Sequence, residues 1–121
     1  MTKNPYLKRM IETATPVQLV SMLLERAADK MNEADQALEA NDLDRAHEAL
    51  VEAQRVIAEL ITGLDVEAGG DVAQRLRGLY QFVWERLLQA NLRKTAQPLR
   101  EARELWRPLC DLWHDVEAAQ A

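Results

Sequence analysis

The sequence predicts an all-α fold, an antiparallel four-helix bundle, and three observations lead there. Only four glycines and four prolines occur in 121 residues, well below average usage. Apolar residues recur at three- and four-residue steps through four stretches, the spacing of a buried helical stripe. The breaks between those stretches are short, so consecutive helices must fold back on one another to bury their stripes. With 48% hydrophobic and 29% charged residues, residues 1–121 suit a single domain with one ordinary core. The same helix-favouring composition excludes a β-sandwich or barrel.

The first helix is expected from Pro16 to Glu39. Thr15 is placed to cap it, Pro16 suits its first position and Gln18 completes a capping box. Leu19, Met22, Leu23, Ala27, Met31, Ala34 and Leu38 form its stripe. After the Ala40-Asn41-Asp42 corner, Leu43, Ala46, Leu50, Ala53, Ile57, Leu60, Ile61 and Leu64 continue the period, so the second helix is expected to reach Leu64. Glu67-Ala68-Gly69-Gly70 reads as the next reversal, with Asp71 as cap. The third helix then carries Val72, Leu76, Leu79, Tyr80, Val83, Leu87 and Leu92. Thr95 or Gln97 with Pro98 marks the last corner. Leu99, Ala102, Leu105, Trp106, Leu109, Trp113 and Val116 form the fourth stripe. Pro108 lies inside that helix, where a proline removes one amide donor and crowds the carbonyl four residues back, at roughly 3 kcal/mol. A kink near Leu105 and Trp106 is therefore expected.

Fifteen Lys plus Arg against twenty Asp plus Glu give a formal charge of −5, which argues against a general binder of phosphate backbones. The single cysteine, Cys110, has no partner for an internal disulfide and points to a reducing, cytoplasmic setting. No apolar h-region follows the first residues and no run approaches ~18 apolar positions, so neither export by a signal peptide nor membrane insertion is expected.

Catalytic and metal chemistry find little support. His47 and His114 stand in Asp-x-x-His pairs with Asp44 and Asp111, superficially like the ligands of di-metal bundles. In an up-down-up-down bundle these histidines belong near opposite ends, about 25 Å apart at 1.5 Å per residue. His47 lacks the downstream lysine or glycine usual beside a phosphotransfer histidine, and Gly69-Gly70 lacks the lysine of a phosphate cradle. Cys110 has no histidine at catalytic spacing and reads as a small buried hydrophobe. No catalytic residue, metal or cofactor is expected.

Surplus apolar surface is the less ordinary feature. On the third helix Phe82 and Leu88 project to opposite flanks of the Leu76, Tyr80, Val83 and Leu87 face, and Val51 and Val56 flank the second stripe. Two readings stay open: neighbouring helices cover both flanks, or a groove there receives an apolar partner.

The string from Tyr6 to Leu23 resembles the opening of the FliS family, cytosolic export chaperones of bacterial flagellin. It has a tyrosine, an aliphatic residue five positions on at Ile11, then Thr13-Ala14-Thr15-Pro16, Leu19 and Met22-Leu23. The likeness continues through Ala53-Gln54, Ile57, Glu59-Leu60, Leu64-Asp65, Gly69-Gly70, Leu79-Tyr80, Leu87, Ala90-Asn91 and Trp113. Leu24-Glu25-Arg26-Ala27 departs from the family's Tyr-Asp/Glu-Gly-Ala, Cys110 stands where an arginine is frequent, and Pro108 is foreign to the last helix.

The resemblance implies a bundle of four helices, with a short fifth one an option in the N-terminal segment. It implies binding of the disordered C-terminal segment of flagellin, prevention of premature polymerisation, and delivery to flagellar type III export gate components. Candidate groove residues are Val51, Val56, Leu60, Leu64, Phe82, Val83 and Leu87, suited to helix-in-groove recognition. Residues 1–14 are expected to be a flexible segment that caps the groove when the client is absent. Tyr6 and Ile11 match the family's capping positions, with Leu7 and Met10 added by proximity. A homodimer is left open, and the competing reading is a generic helical adaptor or self-associating bundle.

Overall fold

The computed structural model describes residues 16–120, which form four helices: α1 (Pro16–Glu39), α2 (Leu43–Thr62), α3 (Val66–Arg93) and α4 (Ala96–Gln120). No strand occurs among the described residues. The expected capping residue Thr15 and residues 1–14 lie outside them. α1 has the expected bounds and ends where Asn41 takes a left-handed backbone, φ 55°. Asp42 then caps α2, accepting the Arg45 amide, the usual service of an N-cap aspartate.

Contacts between helices establish the antiparallel order. Arg26 pairs with Glu52 and Glu33 with Arg45 across α1 and α2. His47 meets Asn91 and Gln54 meets the Trp84 carbonyl across α2 and α3. Arg86 meets Glu101 across α3 and α4, and Asp35 meets Arg103 across α1 and α4. With Tyr80 against Trp106 in the third pair and Glu25 against Arg107 in the fourth, one index rises as the other falls in every pair. α1 and α3 each pack on α2 and α4, so they face each other diagonally.

Leu24, Met31, Leu50, Ile57, Tyr80, Val83, Leu87, Leu99 and Trp106 form the centre of the core. Small residues let the helices approach closely: Ala27, Ala34, Ala49, Ala53, Ala90 and Ala102 are all buried. The Tyr80 and Trp106 rings meet at 5.7 Å with a 50° tilt, within the favoured range for aromatic pairs.

Several expected positions shift. α2 ends at Thr62, with Gly63 as its C-cap, rather than reaching Leu64. The reversal therefore falls at residues 63–65, and Asp65, not Asp71, caps α3 by accepting the Ala68 amide. The Gly69-Gly70 stretch became a bend inside α3: Gly70 has φ 57° and ψ −137°, a conformation that suits glycine. Early in α1 the buried position is Leu24, while Met22 and Leu23 are half-buried. Val72, 76% exposed, and Leu92, 70% exposed, leave the expected stripe of α3. Leu105 leaves that of α4, because at 100° per residue it projects well to one side of Trp106. α4 runs through Pro108 as one helix, with the proline exposed.

Candidate functional site

Three of the six exposed large apolar side chains among the described residues, Phe82, Leu105 and Leu112, share the outer groove between α3 and α4; Leu43, Val72 and Leu92 are the others. Helical phase turns Phe82 on α3 and Leu105, Pro108 and Leu112 on α4 toward that groove. The Arg86–Glu101 pair, 3.5 Å apart, fixes the antiparallel register, and counting from it sets Phe82 opposite Leu105 and Leu79 opposite Pro108. Phe82 is 47% exposed, Leu105 40% and Leu112 58%. Leu79 is half-buried and packs against the core beneath them. At one edge the Arg86 guanidinium lies 5.6 Å from the centre of the Phe82 ring, in cation–π range. Its Nη1 reaches Glu101, while its Nε is buried without an acceptor among the described residues.

A second groove runs between α2 and α3. His47 and Asn91 hydrogen-bond at one end, and Gln54 Nε2 donates to the Trp84 carbonyl at 3.4 Å near the middle. The half-buried side chains Val51, Ile61, Trp84 and Leu88 lie along it. Asn91 also accepts from Lys94 Nζ, the residue whose left-handed backbone closes α3.

The seven groove candidates do not converge on one surface. Phe82 faces α4, whereas Val51 lies on the α2 flank toward α3. Val56 is on the opposite flank of α2, the side on which Glu52 meets α1. Leu60, Val83, Leu87 and Val56 are all buried within the bundle. Leu64 is half-buried at the turn after α2. The capping candidates Tyr6, Leu7, Met10 and Ile11 lie outside the described residues.

Sequence reasoning missed the contribution of α4 to the apolar face. The signal was present, since Leu105 and Leu112 are seven residues apart with Pro108 between them and share one flank. Placing Leu105 in the core stripe concealed it.

α4 has a different character on its other flank, toward α1. Arg103 Nη1 donates to Asp35 Oδ2 at 2.6 Å and its Nη2 to Asn32 Oδ1 at 3.3 Å. Glu25 accepts from Arg107 at 3.4 Å and lies 3.3 Å from His114 Nε2. Beneath these pairs Cys110 is buried, and burial, followed by the negative charge of Glu25, pushes its thiol up to about 11. A thiol held protonated is a poor nucleophile. Burial likewise pushes the Tyr80 phenol up to about 12.

His47 and His114 serve different helix pairs, one meeting α3 and the other α1. Among the described residues no three His, Cys, Asp or Glu side chains converge as a metal site, and no helix is long and apolar enough to cross a membrane.

Residues 1–120 match the family model for flagellar protein FliS. The flagellar secretion chaperone FliS of Salmonella typhimurium is 37% identical over 107 residues, covering 88% of this chain and 79% of the relative. The chaperone of the same name from Bacillus subtilis is 29% identical over 114 residues, covering 92% and 84%. That of Escherichia coli is 30% identical over 106 residues, covering 87% and 78%.

Proposed function

Because the chain belongs to the FliS family of flagellar secretion chaperones, we propose that it binds the disordered C-terminal segment of flagellin in the cytoplasm. In this role it keeps flagellin from polymerising early and hands it to the flagellar type III export apparatus. The observation that carries the reading is the apolar face of Phe82, Leu105 and Leu112 on an otherwise well-packed bundle. Subunits that polymerise through helices expose apolar stripes while monomeric, and such a stripe laid into the α3/α4 groove would be withdrawn from water.

Phe82 is the groove candidate that offers surface for direct contact on this face, whereas half-buried Val51 belongs to the α2/α3 groove. Val83 and Leu87 are buried on α3 and hold that helix in the bundle, while Leu60 and Val56 are core residues of α2 and Leu64 borders the turn after it. Tyr6, Leu7, Met10 and Ile11 supply the cap that covers apolar surface until the client arrives. Ordering a flexible client consumes several kcal/mol of the gross contact energy, so a long interface with moderate affinity is the expected design. Release then needs no bond to be made or broken, and neither cofactor nor nucleotide.

The test is isothermal titration with a synthetic peptide of the flagellin C-terminal segment. Saturable one-to-one binding with a negative heat-capacity change supports apolar burial. Absence of heat at several temperatures, with folded protein and competent peptide, rejects the reading. The same exposed face favours self-association as the second reading, which predicts a mass in light scattering that rises with concentration and no response to flagellin.

A further inference from the structure

Gly78 is a glycine that the bundle itself does not require. It lies in the regular part of α3, where a glycine costs helix stability relative to alanine. Among the glycines only Gly70 has a positive φ, so the backbone at Gly78 accepts any residue. A Cβ added there meets nothing within 4 Å, so no neighbour needs its smallness either. On α4 the exposed Pro108 breaks local propensity in the same way, removing a donor from the helix ladder while standing outside the core. Residues that break a local rule without an internal gain are expected at functional sites.

Both lie on the apolar face. Gly78 precedes Phe82 by four residues, one turn along the same flank of α3. Counting from the Arg86–Glu101 pair sets Gly78 level with Leu109, hence between Leu105 and Leu112, with Pro108 beside it. Phe82, Leu105 and Leu112 are exposed and stand around a stretch of α3 that carries no side chain. The result is a hole of the kind that receives a knob when helices pack. Its floor is helix backbone whose N–H and C=O groups already bond within α3, so an apolar side chain covers it without leaving a polar group unpaired.

Resting on the reading of the α3/α4 face as the site of the flagellin C-terminal segment, we propose that the gap at Gly78 seats one large aliphatic or aromatic side chain from a helix of that segment. The knob enters between Phe82 and Leu105 on one side and Leu112 on the other. A seat of this kind fixes the client's register, which apolar burial by itself sets poorly because it is non-directional.

The experiment titrates a synthetic peptide of the flagellin C-terminal segment into the wild-type chain, Gly78→Ala and Gly78→Leu. Leucine fills the hole from the bundle's own side and weakens the peptide more than about tenfold, the least that burial of one large apolar side chain contributes. Helicity stays unchanged, since the space is open. Gly78→Ala weakens the peptide less, although it raises the melting temperature. An alanine scan of the peptide's apolar positions then identifies the knob. One position loses about tenfold against the wild type and less than about twofold against Gly78→Leu, the non-additivity of two groups that share one contact. Should Gly78→Leu lose helicity, the same scan on Gly78→Ala decides. Unchanged affinity of the substituted chains overturns the Gly78 inference and leaves the flagellin reading standing. A scan with equal losses on wild-type and substituted chains also overturns it. A wild-type chain that binds no peptide overturns both.

Discussion

Trp106 Nε1 donates a buried hydrogen bond of 2.9 Å to the carbonyl oxygen of Leu24, joining α4 to α1. Cys110 Sγ approaches the same oxygen at 3.6 Å from the next turn of α4. This carbonyl is a fixed point around which α4 is set. The indole also fills the centre of the core against Tyr80, so the packing around it offsets the strain of the proline two residues on. Trp106→Phe keeps an aromatic ring there and removes the donor. It is expected to lower stability by about 1–3 kcal/mol, the cost of unpairing a buried polar group, measured as a fall in the urea midpoint at unchanged slope.

Much of this architecture was legible because helix periodicity and capping are local. Pro16, Asp42 and the four stripes declare themselves in sequence. The ends of α2 and α3 did not, because two competing signals lay close together. Gly63-Leu64-Asp65 and Gly69-Gly70-Asp71 both offer a glycine followed by an aspartate, and the choice of Asp65 over Asp71 rests on packing across the bundle. The α4 apolar flank was obscured for a related reason. A leucine in a helix of large apolar residues reads as core until the neighbouring helix is placed, and only then is Leu105 found to stand clear of it.

The glycines of α3 separate backbone need from side-chain space. A Cβ on Gly70 meets nothing within 4 Å, yet its φ of 57° is one that other residues rarely adopt. Gly70→Ala should therefore cost about 1–2 kcal/mol through strain at the bend. Gly78 also has open space around it but lies in regular helix. Gly78→Ala should raise stability by up to about 1 kcal/mol. Thermal melts of the two variants should move in opposite directions.

Alkaline pH should unfold the bundle through two buried acids. Burial raises the Cys110 thiol from 9.0 to about 11 and the Tyr80 phenol from 10.0 to about 12. Each group holds its proton more tightly in the fold than in the unfolded chain, so the stability it contributes is full below the unfolded pKa. That stability is lost as pH rises through the folded pKa. The decline begins near 9 for Cys110, reaches about 2 kcal/mol by its folded pKa near 11, and Tyr80 extends it toward 12. Denaturant melts at stepped pH measure the slope. Cys110→Ala should remove the earlier part of the decline and leave the tyrosine part.

Adjacent residues on α3 distinguish surface from core. Phe82 is 47% exposed while Val83 is fully buried, although 100° of helical rotation is all that separates their directions. Phe82→Asp places its charge in water beside Arg86, which lies against that ring, and should leave the circular dichroism spectrum and melting temperature nearly unchanged. If the α3/α4 face holds the flagellin segment, the same variant should weaken that peptide more than about tenfold, as loss of a central aromatic anchor does. Val83→Asp forces a carboxylate into the core and should cost more than about 3 kcal/mol of stability. Measuring peptide affinity and urea midpoint on both variants separates the two effects. A Phe82→Asp protein that folds and binds as the wild type does would remove this face from the client site and turn attention to the α2/α3 groove beside Val51 and Trp84.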